Sequence, residues 1–155
     1  MMVIESDIIA PRDAIRKLAA LESDVAYGLY VYQRGEPYPV NVLRHVIGPE
    51  PDQPLTNWPP EYRRAWDKEQ VLCTGGGLGC VLIRRHVLER IEFRNGDGGH
   101  CDFAFTRDVH KAGFRMMADM SVRCGHKARN GVILWPTRDG HDTEVGALVG
   151  RYGVL

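Results

Sequence analysis

Met2-Val3-Ile4-Glu5-Ser6-Asp7-Ile8-Ile9-Ala10-Pro11 is the stretch that decides the fold. Met2-Val3-Ile4 is a short β-type run, and it ends in a polar turn, Glu5-Ser6-Asp7. Pro11 suits the first position of a helix, where its missing N–H would go unpaired in any case. Asp13 follows in the first turn, where the helix dipole favours an anion. Ala14, Ile15, Leu18 and Ala19 then recur at helical spacing, so the pattern predicts an amphipathic helix over residues 11–22.

Working outward, residues 24–32 are rich in Val, Tyr and Leu and read as a strand, with another over 39–47. Residues 48–60 carry Pro49, Pro51, Pro54, Pro59 and Pro60, which lack backbone donors, so a long loop is expected there. A short helix is expected over 62–66. An apolar run over 71–74 leads into Gly75-Gly76-Gly77-Leu78-Gly79, then a strand over 80–83 and a short helix through Leu88. Residues 95–99 form a turn or flexible loop. A helix over 102–112 places Phe105, Val109 and Ala112 on one face, with Gly113 as its left-handed terminator. Two short strands over 114–118 and 121–124 precede Gly125-His126, and 132–135 is a last apolar run. The tail from Gly140 is Gly-rich and ambiguous. Strands and helices alternate without a repeat or a linker. The expectation is one α/β domain over residues 1–155, a mixed sheet flanked by helices.

The bulk numbers narrow the function. Hydrophobic residues make up 44% and charged residues 26%, the balance of an ordinary globular chain. Twenty basic residues offset twenty acidic ones, so nothing argues for gripping nucleic acid. No apolar run approaches the roughly 20 residues that span a bilayer. The N-terminus lacks the basic-then-apolar pattern of a secretory signal. Cys73, Cys80, Cys101 and Cys124 never form a C-x-x-C pair. They read as reduced, mostly buried thiols in a cytoplasmic protein, although their even number leaves two bridges formally open.

Five constellations can carry chemistry. Glu5-Ser6-Asp7 places two acids on an exposed turn at a strand end, where Mg²⁺ or Mn²⁺ finds hard oxygen ligands. Its plain alternative is a solvated turn before an acidic helix start. Cys124-Gly125-His126 offers an imidazole ligand beside a glycine that permits close approach; the alternative is an ordinary histidine. Gly98-Gly99-His100-Cys101-Asp102 opens a helix, so Asp102 is first a cap and second a fixed general base. Gly75 to Gly79 is neither a P-loop nor a dinucleotide fingerprint. Its glycines serve either approach to a sugar or phosphate, or crowded packing. Trp58, Tyr62 and Trp66 present faces for sugar rings or bases, or pin the Pro-rich loop.

The order of these pieces resembles GT-A glycosyltransferases, particularly those similar to glycosyltransferase family 2. The succession runs from Val3-Ile4-Glu5-Ser6-Asp7 through Gly77-Leu78-Gly79-Cys80-Val81-Leu82-Ile83, then Cys101-Asp102-Phe103 and Lys111-Ala112-Gly113-Phe114, to Cys124-Gly125-His126. The resemblance implies a fold like the C-terminal part of a GT-A domain. It implies divalent-metal-dependent transfer of a sugar from a nucleotide-diphosphate donor to an unknown acceptor hydroxyl. Asp7 matches the second acid of the Asp-x-Asp motif, which contacts Mn²⁺ or Mg²⁺, and His126 the histidine that completes the metal site. Glu5 stands where the family has an Asp facing the donor. Gly77 and Gly79 match the segment beside the donor sugar. Asp102 matches the catalytic base of inverting members, with Cys101 where a preceding acid often stands. In such enzymes a nucleobase-binding segment precedes the Asp-x-Asp strand, and this chain begins at that strand. The expectation is then a fragment, a half supplied by another chain, or a reduced protein, with an exposed sheet edge inviting a homo-oligomer. Two other classes stay open: a non-catalytic sugar- or nucleotide-binding remnant that assembles with a partner chain, and a metal-dependent hydrolase using Asp7, Asp102 and His126.

Overall fold

The run from Val25 to Leu29 is buried at every position, so it has a covered face on each side and forms the middle of the main sheet. The computed structural model describes residues 1–32, 39–44, 53–57, 59–95, 101–128, 131–139 and 144–145. In the first half of the chain these form β1 (Met2–Ile4), β2 (Ile8–Ile9), α1 (Ala14–Ala20), β3 (Val25–Leu29), β4 (Val42–Arg44), β5 (Gln53–Pro54) and α2 (Pro59–Lys68). There follow β6 (Gln70–Leu72), β7 (Gly75–Gly76), β8 (Cys80–Ile83), α3 (Arg85–Leu88) and α4 (Cys101–Lys111). The last elements are β9 (Met116–Arg123), β10 (Gly125–Lys127), β11 (Ile133–Trp135) and β12 (Glu144–Val145).

The main sheet has the order β1-β8-β3-β9-β6. Only β3 and β9 run parallel in it, and the other pairings are antiparallel. Two smaller sheets, β12-β11-β10-β2 and β5-β4-β7, extend from one end of it. The α/β class with a mixed sheet flanked by helices is therefore what the chain adopts.

Alternation along β3 builds the two sides. Val25, Tyr27 and Leu29 join one buried cluster with Val81, Ile83, Phe105, Val109 and Met116. Ala26 and Tyr30 join the other, with Leu18, Leu21, Cys80 and Val122. This is the period-two display of a strand covered on both faces.

The N-terminal helix begins later than expected. Pro11 to Asp13 form a turn, closed by the Ala14 N–H donating to the Pro11 carbonyl at 3.0 Å. Its buried face is Ala14, Leu18 and Leu21, while Ile15 is 57% exposed. A spacing of four then three residues selects one side of the helix, and Ile15 lies off it. The two strands expected over 114–118 and 121–124 are one, β9. Its ladder slips between Gly28 and Leu29, while the Asp119 carboxylate accepts both the N–H and the hydroxyl of Ser121, at 2.9 and 2.7 Å. The polar residues that looked like a break satisfy the chain through an irregularity instead. Gly113 does end α4 with positive φ, and Phe114 N–H reaches back to the Val109 carbonyl. Among the described residues no helix is long and apolar enough to cross a membrane. The expected turn at 96–99, His100 and most of the tail lie outside the described residues.

Candidate functional site

The acidic turn leaves β1 and enters β2, and three backbone bonds hold it. Glu5 N–H donates to the Gly79 carbonyl at 3.0 Å, which ties the end of β1 to the glycine segment. Ile8 N–H donates to the Glu5 carbonyl at 3.0 Å and closes the turn. Lys127 N–H donates to the Asp7 carbonyl at 2.7 Å. β10 pairs antiparallel with β2, His126 opposite Ile8, so the ladder carries His126 to the residue beside Asp7. Asp7 Oδ2 and His126 Nε2 are 3.4 Å apart.

The other ring nitrogen decides what that distance means. His126 Nδ1 lies 2.6 Å from the Val31 carbonyl oxygen, which can only accept, so Nδ1 carries a hydrogen. In the neutral ring Nε2 is then a lone pair facing a carboxylate. Two acceptors confront each other unless a proton or a cation lies between them. The imidazole is held firmly. Its side chain is 13% exposed, and the Tyr30 ring meets it edge-on at 5.6 Å.

More negative charge gathers around this pair. Burial first, then the charges of Asp7 and Asp102, push the Glu5 carboxyl above its ordinary range, and His126 pulls it the other way. Asp7, Asp102 and His126 thus all lie within electrostatic reach of Glu5. Asp102 lies in the first turn of α4, and its Oδ1 accepts the adjacent Phe103 N–H at 3.0 Å. That is a local contact one position inside the helix start, not a cap across the turn.

Glycines bring α4 to this place. A Cβ on Gly75 would fall on the Thr106 methyl, and Thr106 Oγ1 donates to the Gly76 carbonyl at 3.0 Å. A Cβ on Gly77 would fall on the Tyr30 hydroxyl, and one on Gly79 would meet the same ring at 2.8 Å. Gly77 N–H donates to the Asn41 carbonyl and Gly79 N–H to the Tyr30 hydroxyl, at 3.3 and 3.2 Å. Of the two readings of this segment, crowded packing is the one its neighbours support. Gly77 and Gly79 shape the floor beneath the acids, and their own N–H groups are already engaged. Gly125 is similar: a Cβ there would press on Ile133 and Trp135.

The remaining constellations lie elsewhere. Tyr62 is buried, its hydroxyl donates to the Thr137 carbonyl at 2.7 Å, and Trp66 stacks beneath the Arg123 guanidinium at 3.7 Å. Tyr62 pins α2 to the chain after β11 and Trp66 packs it against the end of β9, while Trp58 lies outside the described residues. All four cysteines are free; Cys80 and Cys124 are buried, Cys73 is half-buried, and Cys101 is exposed. Sequence reading missed Tyr30, Val31 and Asn41. Tyr30 was visible only as one more apolar strand residue, Val31 acts through its backbone, and no pattern marks Asn41.

Asp7 and His126 are the two candidate ligands that the fold brings side by side. Among the described residues no group of three or more His, Cys, Asp or Glu side chains could hold one. Mg²⁺ and Mn²⁺ sites commonly take one or two protein ligands and fill the rest with phosphate oxygens and water, so this donor set fits such an ion.

The class defined by this fold is an α/β protein with a mixed sheet and an acid–imidazole cluster at one sheet end. No family model matches the chain, and no curated protein matches it. Among solved structures, the crystal structure of A197 from STIV is similar, with a TM-score of 0.59 and 21% identity over 99% of this chain and 69% of that one. At that identity the likeness speaks for the fold alone.

Proposed function

We propose that this chain is a divalent-metal-dependent glycosyltransferase, moving a sugar from a nucleotide-diphosphate donor to an acceptor hydroxyl. The observation that carries the reading is the Asp7–His126 pair, whose Nε2 lone pair is aimed at a carboxylate because Nδ1–H is held by Val31. Mn²⁺ or Mg²⁺, when bound, supplies positive charge opposite a departing diphosphate. Asp7 and His126 would hold that ion. Glu5, on the same turn, faces the donor. Gly77 and Gly79 keep the floor low beneath it. Asp102 stands at the mouth of α4 as the base that takes the proton from the acceptor hydroxyl. Attack assisted by a base on the face opposite the leaving group inverts the sugar carbon. The charges near Glu5 support the same assignment: two further carboxylates raise its affinity for a proton, and a cation there would relieve the same repulsion.

Isothermal titration of UDP and GDP with and without Mn²⁺ tests the proposal. Binding that appears only with metal and is lost in Asp7→Ala is expected. Nucleotide binding indifferent to Mn²⁺ would leave a non-catalytic binding protein. Phosphate release from a nucleotide sugar without an acceptor would make it a hydrolase.

A further inference from the structure

β3 ends at Leu29, and the chain beyond it needs a new partner. The ladder to β9 has already slipped there, from Gly28 opposite Asp119 to Leu29 opposite Arg123. One residue takes over. Asn41, fully buried, accepts the Tyr30 N–H on Oδ1 at 2.9 Å and donates from Nδ2 to the Gly28 carbonyl at 2.9 Å. Its own N–H donates to the Tyr30 carbonyl at 2.9 Å, and its carbonyl accepts Gly77 N–H. Both backbone groups of Tyr30 are thus held by Asn41.

The next peptide is the one that matters. Val31 bridges Val40, and Tyr32 N–H donates to the Pro39 carbonyl at 2.7 Å. The Tyr32 N–H and the Val31 carbonyl belong to the same planar unit and point in opposite directions. Turning that N–H toward Pro39 therefore aims the Val31 oxygen the other way, at His126 Nδ1.

We infer that Asn41 is a positioning residue for His126. It holds the Gly28–Tyr30 backbone from which the Val31 peptide, aimed by Pro39, reaches the ring, and that peptide fixes which ring nitrogen carries the hydrogen. The consequence for metal affinity rests on reading His126 as a ligand; the consequence for the tautomer does not. Outer partners that orient a ligating histidine typically change metal affinity about 10- to 100-fold when lost.

The test is the ring of His126, read by long-range ¹H–¹⁵N spectra under conditions where the imidazole is neutral, together with Mn²⁺ affinity by electron paramagnetic resonance. The wild-type ring is expected to carry its hydrogen on Nδ1. Asn41→Ser, too short to span Tyr30 and Gly28, is expected to move it toward an Nε2–H mixture and to weaken Mn²⁺ binding about tenfold or more. Asn41→Asp keeps the acceptor and loses the donor, so a smaller shift in the same direction is expected; it decides the matter if the serine variant does not fold. Asp24→Ala, at the far end of the sheet, is the control for lost stability alone and should leave the tautomer unchanged. A wild-type ring protonated on Nε2, or an Nδ1–H ring that persists in the folded Asn41 variants, overturns the inference. Should the tautomer follow Asn41 while the wild-type protein binds no Mn²⁺, the metal reading falls and the positioning role stands.

Discussion

The described residues form two Asp–His pairs, one at each end of the main sheet, and they are built differently. At the far end His86 Nε2 lies 2.7 Å from Asp24 Oδ1, and the second oxygen of Asp24 accepts the Arg115 N–H at 2.7 Å. The ring is half exposed and lies against Phe114. Both carboxylate oxygens have partners, and the pair braces the start of β9 against β3. At the near end His126 has given its Nδ1–H to a carbonyl, stands 3.4 Å from Asp7, and acts on Glu5, as Asp102 also does. The same two residue types make a brace in one place and, in the function we propose, a ligand pair in the other. What distinguishes them is the further bond each makes: Asp24 accepts a backbone N–H, and His126 donates to a backbone carbonyl.

Metal binding should separate the two pairs most sharply. Asp7→Ala is expected to weaken Mn²⁺ binding by more than the ~100-fold upper range of an outer-shell loss, because it removes a ligand outright. Asp24→Ala should bind Mn²⁺ as the wild type does. Equal effects of the two substitutions, read as free Mn²⁺ by electron paramagnetic resonance, would erase the distinction.

Packing beneath the near pair gives the next effect. Gly77→Ala places a methyl on the Tyr30 hydroxyl and should destabilise the fold by about 1–3 kcal/mol, the usual cost of overpacking. Adding Tyr30→Phe should recover part of that loss, a coupling that chemical denaturation of the two single variants and the double variant measures. Simple additivity would mean the floor yields elsewhere. At the far end, Asp24→Ala leaves the Arg115 N–H without its acceptor and should cost about 1–2 kcal/mol of unfolding free energy. The loss at Asp24 is therefore expected in stability, and the loss at Asp7 in Mn²⁺ binding.

These two ends also show what a sequence can carry. The near site was legible as far as its acids and histidine, because an acid-x-acid turn after a strand and a glycine–histidine after another are local patterns. Their meeting was not, since it depends on β10 pairing with β2 in a register that puts His126 opposite Ile8. The glycine segment announced close approach but not of what; Tyr30 and Thr106 answer that, and neither is near it in sequence. Val31 contributes only a carbonyl, and every residue has one. At the far end nothing in the sequence joined Asp24 to His86. Among the elements, the alternating and apolar runs were readable, whereas the α1 start and the course of β9 past Asp119 go with local hydrogen bonds that no apolar pattern announces.

The smallest expected effect sharpens the comparison furthest. Glu5 is held above its ordinary carboxylate range by burial and by the charges of Asp7 and Asp102, so its ionised form is resisted by the fold it sits in. Asp24 instead meets a histidine and a backbone N–H. Glu5→Gln keeps the shape and removes one of the like charges. In metal-free buffer at neutral pH the variant should therefore melt slightly above the wild type, and the gap should narrow as salt screens the repulsion. Saturating Mn²⁺ should turn the order around, because a cation between the acids converts the same charge from a burden into an attraction. A Glu5→Gln variant that melts below the wild type without metal, or gains as much from Mn²⁺ as the wild type does, would mean that the acids at this end are as settled as the pair at the other.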